Sequence, residues 1–449
     1  MMYNKIINLR GEKMLLDFKM KNFKSFYNKT DFTMMADTSK RENKERLVKI
    51  SDTKRTGKYA LPSMVIYGQN ASGKTSIIQA INVLKQIVIN GTIKRQIGNE
   101  AITELEIDPF IHDEKKFKEP IEFEITFDEN NVIYNYILGV KVSQKQREIS
   151  NEELNIIEFH ERGTSIEEVK TNIFKRTNKD VKLNTELNAL KILNKKEEFK
   201  SEAENFENIF SKNLDKEDLF LTTGFKSLIS LNMETIIVDW FQESLITVVD
   251  FNEKEPIINF KNINKNKTIY SDSKINKLVK LADFGPQRIG YIKNPVTGKF
   301  EMNSIYKQSG TEGALVVNSE NIESKGTIKM ISFWLGWLKY AKKGGVFVLD
   351  ELDASIHPEL IGEMIKWFND PEENEFHSQL IFNTLNPLYL QRKYYRRDQI
   401  TLTQKDKKYM SSISRLSDKK VRNDGNYMKQ CFDDKIIKHK IFSYDEVEL

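Results

Sequence analysis

Cysteine is almost absent: Cys431 is the single one in 449 residues. With no second thiol, an intramolecular disulfide is excluded, and so is a cysteine-built zinc site or zinc hook. No apolar run approaches the roughly 20 residues that a membrane helix needs, and the N-terminus lacks the apolar core of a secretion signal. A cytoplasmic chain with no membrane partner is the expectation. Histidine is scarce as well, and His112, His160, His357, His377 and His439 are scattered rather than clustered as in an HNH nuclease. Neither sign of charge dominates. The 70 basic and 65 acidic residues leave +5, a mild excess that permits a nucleic-acid partner without demanding one. The 39% hydrophobic content is enough for a packed core, and the length suits two or three domains.

What is present is organised around Gly68 to Ser76, GQNASGKTS. An apolar strand-like run, Ser63 to Tyr67, leads into it, and Ile77, Ile78, Ile81, Leu84 and Ile87 follow at helical spacing. Gly68, four residues, then Gly73, Lys74 and Thr75 is the spacing of a P-loop, in which glycines let backbone N–H groups curl round a phosphate. The candidate nucleotide-binding set is Gly68, Asn70, Ala71, Ser72, Gly73, Lys74, Thr75 and Ser76. Lys74 would reach the outer phosphates of ATP and the Thr75 hydroxyl would sit on Mg²⁺, with the helix N-terminus adding positive potential. A pattern of four fixed positions also arises by chance; its setting between strand and helix favours the nucleotide reading.

A second half supports that reading far downstream. Gly344 to Pro358, GGVFVLDELDASIHP, contains the continuous apolar run Val346 to Leu349, as expected of a strand buried on both faces of a parallel sheet. It ends in two carboxylates. Asp350 is suited to hold the Mg²⁺ that Thr75 also touches, and Glu351 to orient and polarise the attacking water. Alone, such a strand end is an ordinary acidic turn; paired with a P-loop it reads as a Walker B strand.

Along the chain, residues 1–13 do not look like part of a domain, and Met14 is a candidate native start. Leu15 to Phe23 and Asp31 to Met35 alternate as two strands. Ile121 to Phe127 and Val132 to Val142 read as a strand pair turning at Glu129-Asn130-Asn131, with a further strand at Ile149 to Leu154. From about Glu161 to Lys299 the composition shifts to Lys, Glu and Asn, and 161–299 reads as a mostly helical insertion. Its stripes, Phe199, Ala203, Phe206, Phe210 and then Ile236, Trp240, Phe241, Leu245, are those of packed helices. Residues 14–160 and 300–449 then form the two parts of one ATPase head.

Ser324-Lys325-Gly326 precedes an apolar helix that leads into the Asp350 strand. A serine there caps the helix in one reading. In the other, Ser324 and Gly326 form an ABC-type signature loop, whose hydroxyl and helix N-terminus face the γ-phosphate held by a second subunit. Asp353 likewise has two readings, a residue crossing a dimer seam or the N-cap of the helix near Pro358. Gln379 to Phe382 reads as the next buried strand, ending at Asn383-Thr384-Leu385-Asn386.

LLDFKMKNFKSF, YGQNASGKT, ESKGT, VLDELDASIHP, QLIFNTLNP and RRDQI together resemble the overlooked-nuclease-like and abortive-infection ABC-type AAA ATPases, most of all the RloA/AbiL-like branch. The resemblance covers Met14 to about Ser417. It implies an α/β fold, a P-loop NTPase ABC/SMC-like ATPase head with an inserted helical domain, in which two copies sandwich ATP and Mg²⁺. Lys74 of one copy and Ser324 of the other would address the same nucleotide in a homodimer or higher homo-oligomer. It also implies a role in bacterial anti-phage defence, with a separately encoded effector, nuclease or toxin, and a phage-derived trigger.

One departure matters. Where the family carries a sensor histidine after this strand, the chain has Leu385, which can neither donate a hydrogen bond nor carry charge. Slow hydrolysis is expected unless His357 or Asn386 substitutes. Pro387 to Leu449 is too short for a Toprim nuclease, so no intrinsic nuclease is expected. Nucleic-acid contact has two candidate stretches, Lys261 to Lys280 and Arg392 to Arg397, the latter with Tyr394 and Tyr395 interleaved. Two alternatives remain beside the defence ATPase: a RecF/SMC-like DNA-repair ATPase, and a nucleotide-gated scaffold with little hydrolysis.

Overall fold

The structure, a computed structural model, describes residues 12–38, 44–50, 58–94, 96–97, 102–103, 105–143, 146–162, 165–249, 269–270, 276–277, 279–280, 285–298, 300–308, 310, 313–354, 356–419 and 427–432. The leader 1–11, most of the basic stretch 261–280 and His439 lie outside them. None of the helices among the described residues is long and apolar enough to cross a membrane.

A six-stranded sheet carries the P-loop. In spatial order its strands are Leu245–Val248, Val346–Leu349, Gln379–Thr384, Ser63–Gly68, Ile400–Lys405 and Ser411–Arg415. The first five are parallel and the last is antiparallel. Strands buried on both faces need apolar residues at every position, which is why SMVIYG, VFVL and QLIFNT are buried throughout. On one face Met64 and Ile66 pack against α1 (Lys74–Asn90); on the other Val65 and Tyr67 join a core filled by α2 (Lys325–Tyr340) and α3 (Pro358–Phe368).

A seven-stranded antiparallel sheet covers the other side of α1. Its spatial order is Asp180–Leu183, Ser165–Thr177, Arg147–Arg162, Val132–Val142, Ile121–Glu129, Lys13–Lys21 and Thr30–Thr33. The turn at Asn130 (φ 56°) and Asn131 (φ 67°) needs two consecutive left-handed residues, a requirement asparagine meets. A smaller four-stranded sheet ends in Phe300–Lys307 and Ala314–Asn318 and leads into α2.

Residues 161–299 differ from the helical expectation at both ends of the described part. Ser165–Thr177 and Asp180–Leu183 extend the antiparallel sheet. Their Lys and Glu are exposed, and Arg176 is fully buried, with carbonyl partners at Asn178, Asp215 and Asp218 and Glu152 at 3.5 Å. A charged inward residue breaks the apolar alternation that would have marked the strand. The helical middle, including Phe199–Asn213, packs Phe199 and Ala203 into the core as expected. Leu245 does not continue the Trp240–Phe241 stripe: it opens the edge strand of the parallel sheet.

Candidate nucleotide-binding site

The P-loop turns on two left-handed residues, Ala71 (φ 57°) and Gly73 (φ 104°), before α1 begins at Lys74. A Cβ at Gly73 would meet Ser411, so glycine is required by space as well as by φ. The Lys74 ammonium folds back onto the carbonyl oxygens of Gly68 (2.9 Å) and Gln69 (2.8 Å). Burial lowers its pKa, opposed by the charges of Asp350, Glu351 and Asp353. Ser72 Oγ lies 2.6 Å from Thr403 Oγ1, tying the loop to the strand beside it.

Ends of strands far apart in sequence meet here. Thr75 Oγ1 donates to Asp350 Oδ1 at 3.1 Å, across 275 residues of chain. Between the P-loop strand and the Asp350 strand lies Gln379–Thr384, and its Asn383 is the residue that sequence reasoning missed. Asn383 Nδ2 donates to Asp350 Oδ1 and, at 3.5 Å, approaches Thr75 Oγ1, while its Oδ1 accepts from the Glu351 backbone N–H at 2.7 Å. Its mark in the sequence is an amide closing the apolar run QLIF. Burial raises the Asp350 pKa, and the Asn383 and Thr75 hydrogen bonds oppose that rise.

Glu351 is exposed and has φ 45°, a conformation non-glycine residues rarely adopt. Its backbone is held on both sides: the N–H by Asn383, and the carbonyl by the Lys329 ammonium of α2, which also donates to Ala354 O at 3.2 Å. Lys329 therefore ties the helix after Ser324 to the acidic loop.

The remaining candidates separate. Ser324 Oγ caps α2 by accepting from Thr327 N–H at 3.1 Å, and none of its hydrogen bonds among the described residues reaches the P-loop. Asp353 is not the cap of α3: that residue is His357, whose Nδ1 accepts from Glu359 N–H, while Asp353 Oδ2 accepts from Thr384 Oγ1 at 2.6 Å. A proline at the first helical position leaves the cap to its immediate predecessor. Leu385 is 50% exposed. Asn386 caps the short turn Pro387–Tyr389, and with His357 likewise engaged, each polar candidate to replace a sensor histidine already serves as a cap. In Arg392–Arg397, Tyr395 is fully buried, Tyr394 nearly so, and Arg396 pairs with Asp398 at 2.9 Å, so these rings offer no face to a base.

The donor set fits a polyphosphate. A cavity of about 250 Å³ is lined by Lys24, Lys74 and Lys405, by the hydroxyls of Ser25, Thr75 and Ser76, and by Ala71 and Gly73, with no carboxylate. Thr75 and Asp350 together fit a hard divalent cation that takes only one or two protein oxygens. Among the described residues no three His, Cys, Asp or Glu side chains cluster to hold a metal by themselves.

Sheet order, P-loop and adjoining acidic strand define an α/β protein with a P-loop nucleotide-binding site. Residues 63–390, well over half of the chain, match the family described as "AAA domain, putative AbiEii toxin, Type IV TA system". The chain belongs to that family. Among solved structures, the SMC head domain from Thermotoga maritima is similar at a TM-score of 0.36 and 14% identity, over 89% of this chain and 98% of that one, a likeness too distant to carry residue-level argument. No curated protein matches the chain.

Proposed function

We propose that the chain binds Mg-ATP at the P-loop, closes on it as a dimer of two heads, and hydrolyses it slowly. The observation that carries this reading is the Thr75–Asp350 contact, which joins the ends of the P-loop and the acidic strand in one polar cluster. Mg-ATP would supply the phosphoanhydride bond that is broken. Lys74 and the loop N–H groups bind the phosphates, Thr75 and Asp350 hold the cation, and Glu351, fixed by Asn383 and Lys329, orients the water. Ser324, whose side-chain hydrogen bonds among the described residues all go to Thr327, and Gly326 act on the nucleotide of the partner copy, and Asp353 lies at the seam. Residues 14–160 and 300–449 build the head, with Leu245–Val248 adding its edge strand from the segment between them.

The dimer's nucleotide state regulates an anti-phage response in the bacterial cytoplasm, through a separately encoded nuclease or toxin and a phage-derived trigger. This rests on the resemblance to the RloA/AbiL-like abortive-infection ATPases and on the family's description as a putative AbiEii toxin of a Type IV TA system. A second reading, a nucleotide-gated scaffold with little hydrolysis, is favoured by the exposed apolar Leu385.

ATP turnover by the purified wild type, Lys74→Ala and Glu351→Gln tests the proposal. Wild type turns over slowly, Lys74→Ala loses binding, and Glu351→Gln binds without turning over. Equal rates in all three would refute it, and nuclease activity that survives Glu351→Gln would contradict the effector on another chain.

A further inference from the structure

We propose that the stacked pair Tyr409–His112 is the platform for the base of the bound nucleotide. This deepens the P-loop reading and rests on it. The P-loop cavity is built for phosphates: its side-chain lining is three ammonium groups, three hydroxyls and one methyl, with no ring among them. A nucleoside triphosphate has an aromatic end as well, which needs a flat apolar partner beside that cavity.

The hairpin joining Ile400–Lys405 to Ser411–Arg415 supplies one. Lys405, at its start, lines the cavity, and its ammonium is 6.0 Å from the Tyr409 ring centroid. Ser411, at its end, is the residue a Cβ on Gly73 would strike, and it bonds to Ser25 through backbone N–H and hydroxyl, both at 2.8 Å. Tyr409 thus sits two residues from the P-loop wall. The residue is 55% exposed, and its ring stacks on His112 with centroids 4.4 Å apart and planes 19° from parallel. The loop bearing His112 is itself tied to the phosphate cavity, because Asp108 O accepts from the backbone N–H of Lys24 at 2.8 Å. Tyr409 also has φ 64°, an outlier for a bulky residue, so the turn holds an exposed ring at a cost in backbone strain. Stacking reads a flat face and not a hydrogen-bond pattern, so the ligand class is a nucleoside triphosphate with little preference among bases.

The test compares Mg-ATP with inorganic triphosphate, which has the phosphates and no base. Asparagine tolerates the left-handed turn, so Tyr409→Asn removes the ring and keeps the hairpin; Tyr409→Phe keeps the ring. The proposal expects Tyr409→Asn to weaken Mg-ATP binding about tenfold, Tyr409→Phe to bind like wild type, and triphosphate affinity to be equal in all three. Unchanged ATP affinity in Tyr409→Asn overturns it, and so does a parallel loss of ATP and triphosphate affinity, which marks the stack as packing. Wild type binding neither ligand would bring down the P-loop reading itself, an outcome distinct from either.

Discussion

At the scale of single residues, the site turns on Asn383. One amide reaches three partners, the Asp350 carboxylate, the Thr75 hydroxyl and the Glu351 backbone, so it holds both acidic residues in register with the P-loop. Asn383→Leu keeps the volume and removes every one of these bonds. Leaving a buried carboxylate short of a donor costs about 1–3 kcal/mol. Turnover should fall roughly tenfold to a hundredfold, and more Mg²⁺ should be needed for half-maximal rate; an unchanged Mg²⁺ requirement would show that Asn383 only packs. Leu385 yields the complementary prediction. A preorganised contact to the transferring phosphate is commonly worth on the order of 10² to 10³ in rate, so Leu385→His should raise single-turnover hydrolysis at least several-fold. Fast hydrolysis by the wild type, with no gain in the variant, contradicts that account.

At the scale of elements, legibility followed burial. The strands SMVIYG, VFVL and QLIFNT were readable because a strand covered on both faces shows as an unbroken apolar run. Asn130-Asn131 was readable because the turn requires that chemistry. Ser165–Thr177 was not, since one face meets water and the other buries Arg176 against backbone carbonyls. Nor was Leu245–Val248, whose first residue falls in phase with the apolar stripe of the preceding helix. The Asn383 clamp is a tertiary fact: groups from two sequence-distant segments converge on it, and local pattern shows only an amide closing an apolar run.

The strand Lys13–Lys21 carries its own testable charge. Burial pushes Asp17 from 3.8 up to about 6, against the Thr33 hydrogen bond and the charges of Lys19 and Arg415. The folded state therefore holds this proton more tightly than the unfolded one. Its contribution favours folding at low pH and is lost as pH rises from about 4 through about 6. Asp17→Asn should flatten that slope and stabilise the protein at pH 7 by up to about 3 kcal/mol. Urea midpoints from pH 4 to 7 measure both, and parallel curves for the two proteins would refute the assignment.

At the scale of the whole molecule, the proposed dimer makes a single head an incomplete site. Lys74, Thr75, Asp350 and Glu351 lie together, whereas Ser324 is exposed at the start of α2, engaged only in capping its own helix among the described contacts. A second copy would complete the site if nucleotide joins two heads, each supplying the serine that the other lacks. The most direct measurement is mass in solution, by light scattering, for wild type, Lys74→Ala and Glu351→Gln with and without Mg-ATP. ATP should double the mass of the wild type in part, hold Glu351→Gln in the heavier form, and leave Lys74→Ala at the mass seen without nucleotide. A mass indifferent to nucleotide in all three proteins would contradict the ATP-joined dimer and leave the P-loop as a site within a single head.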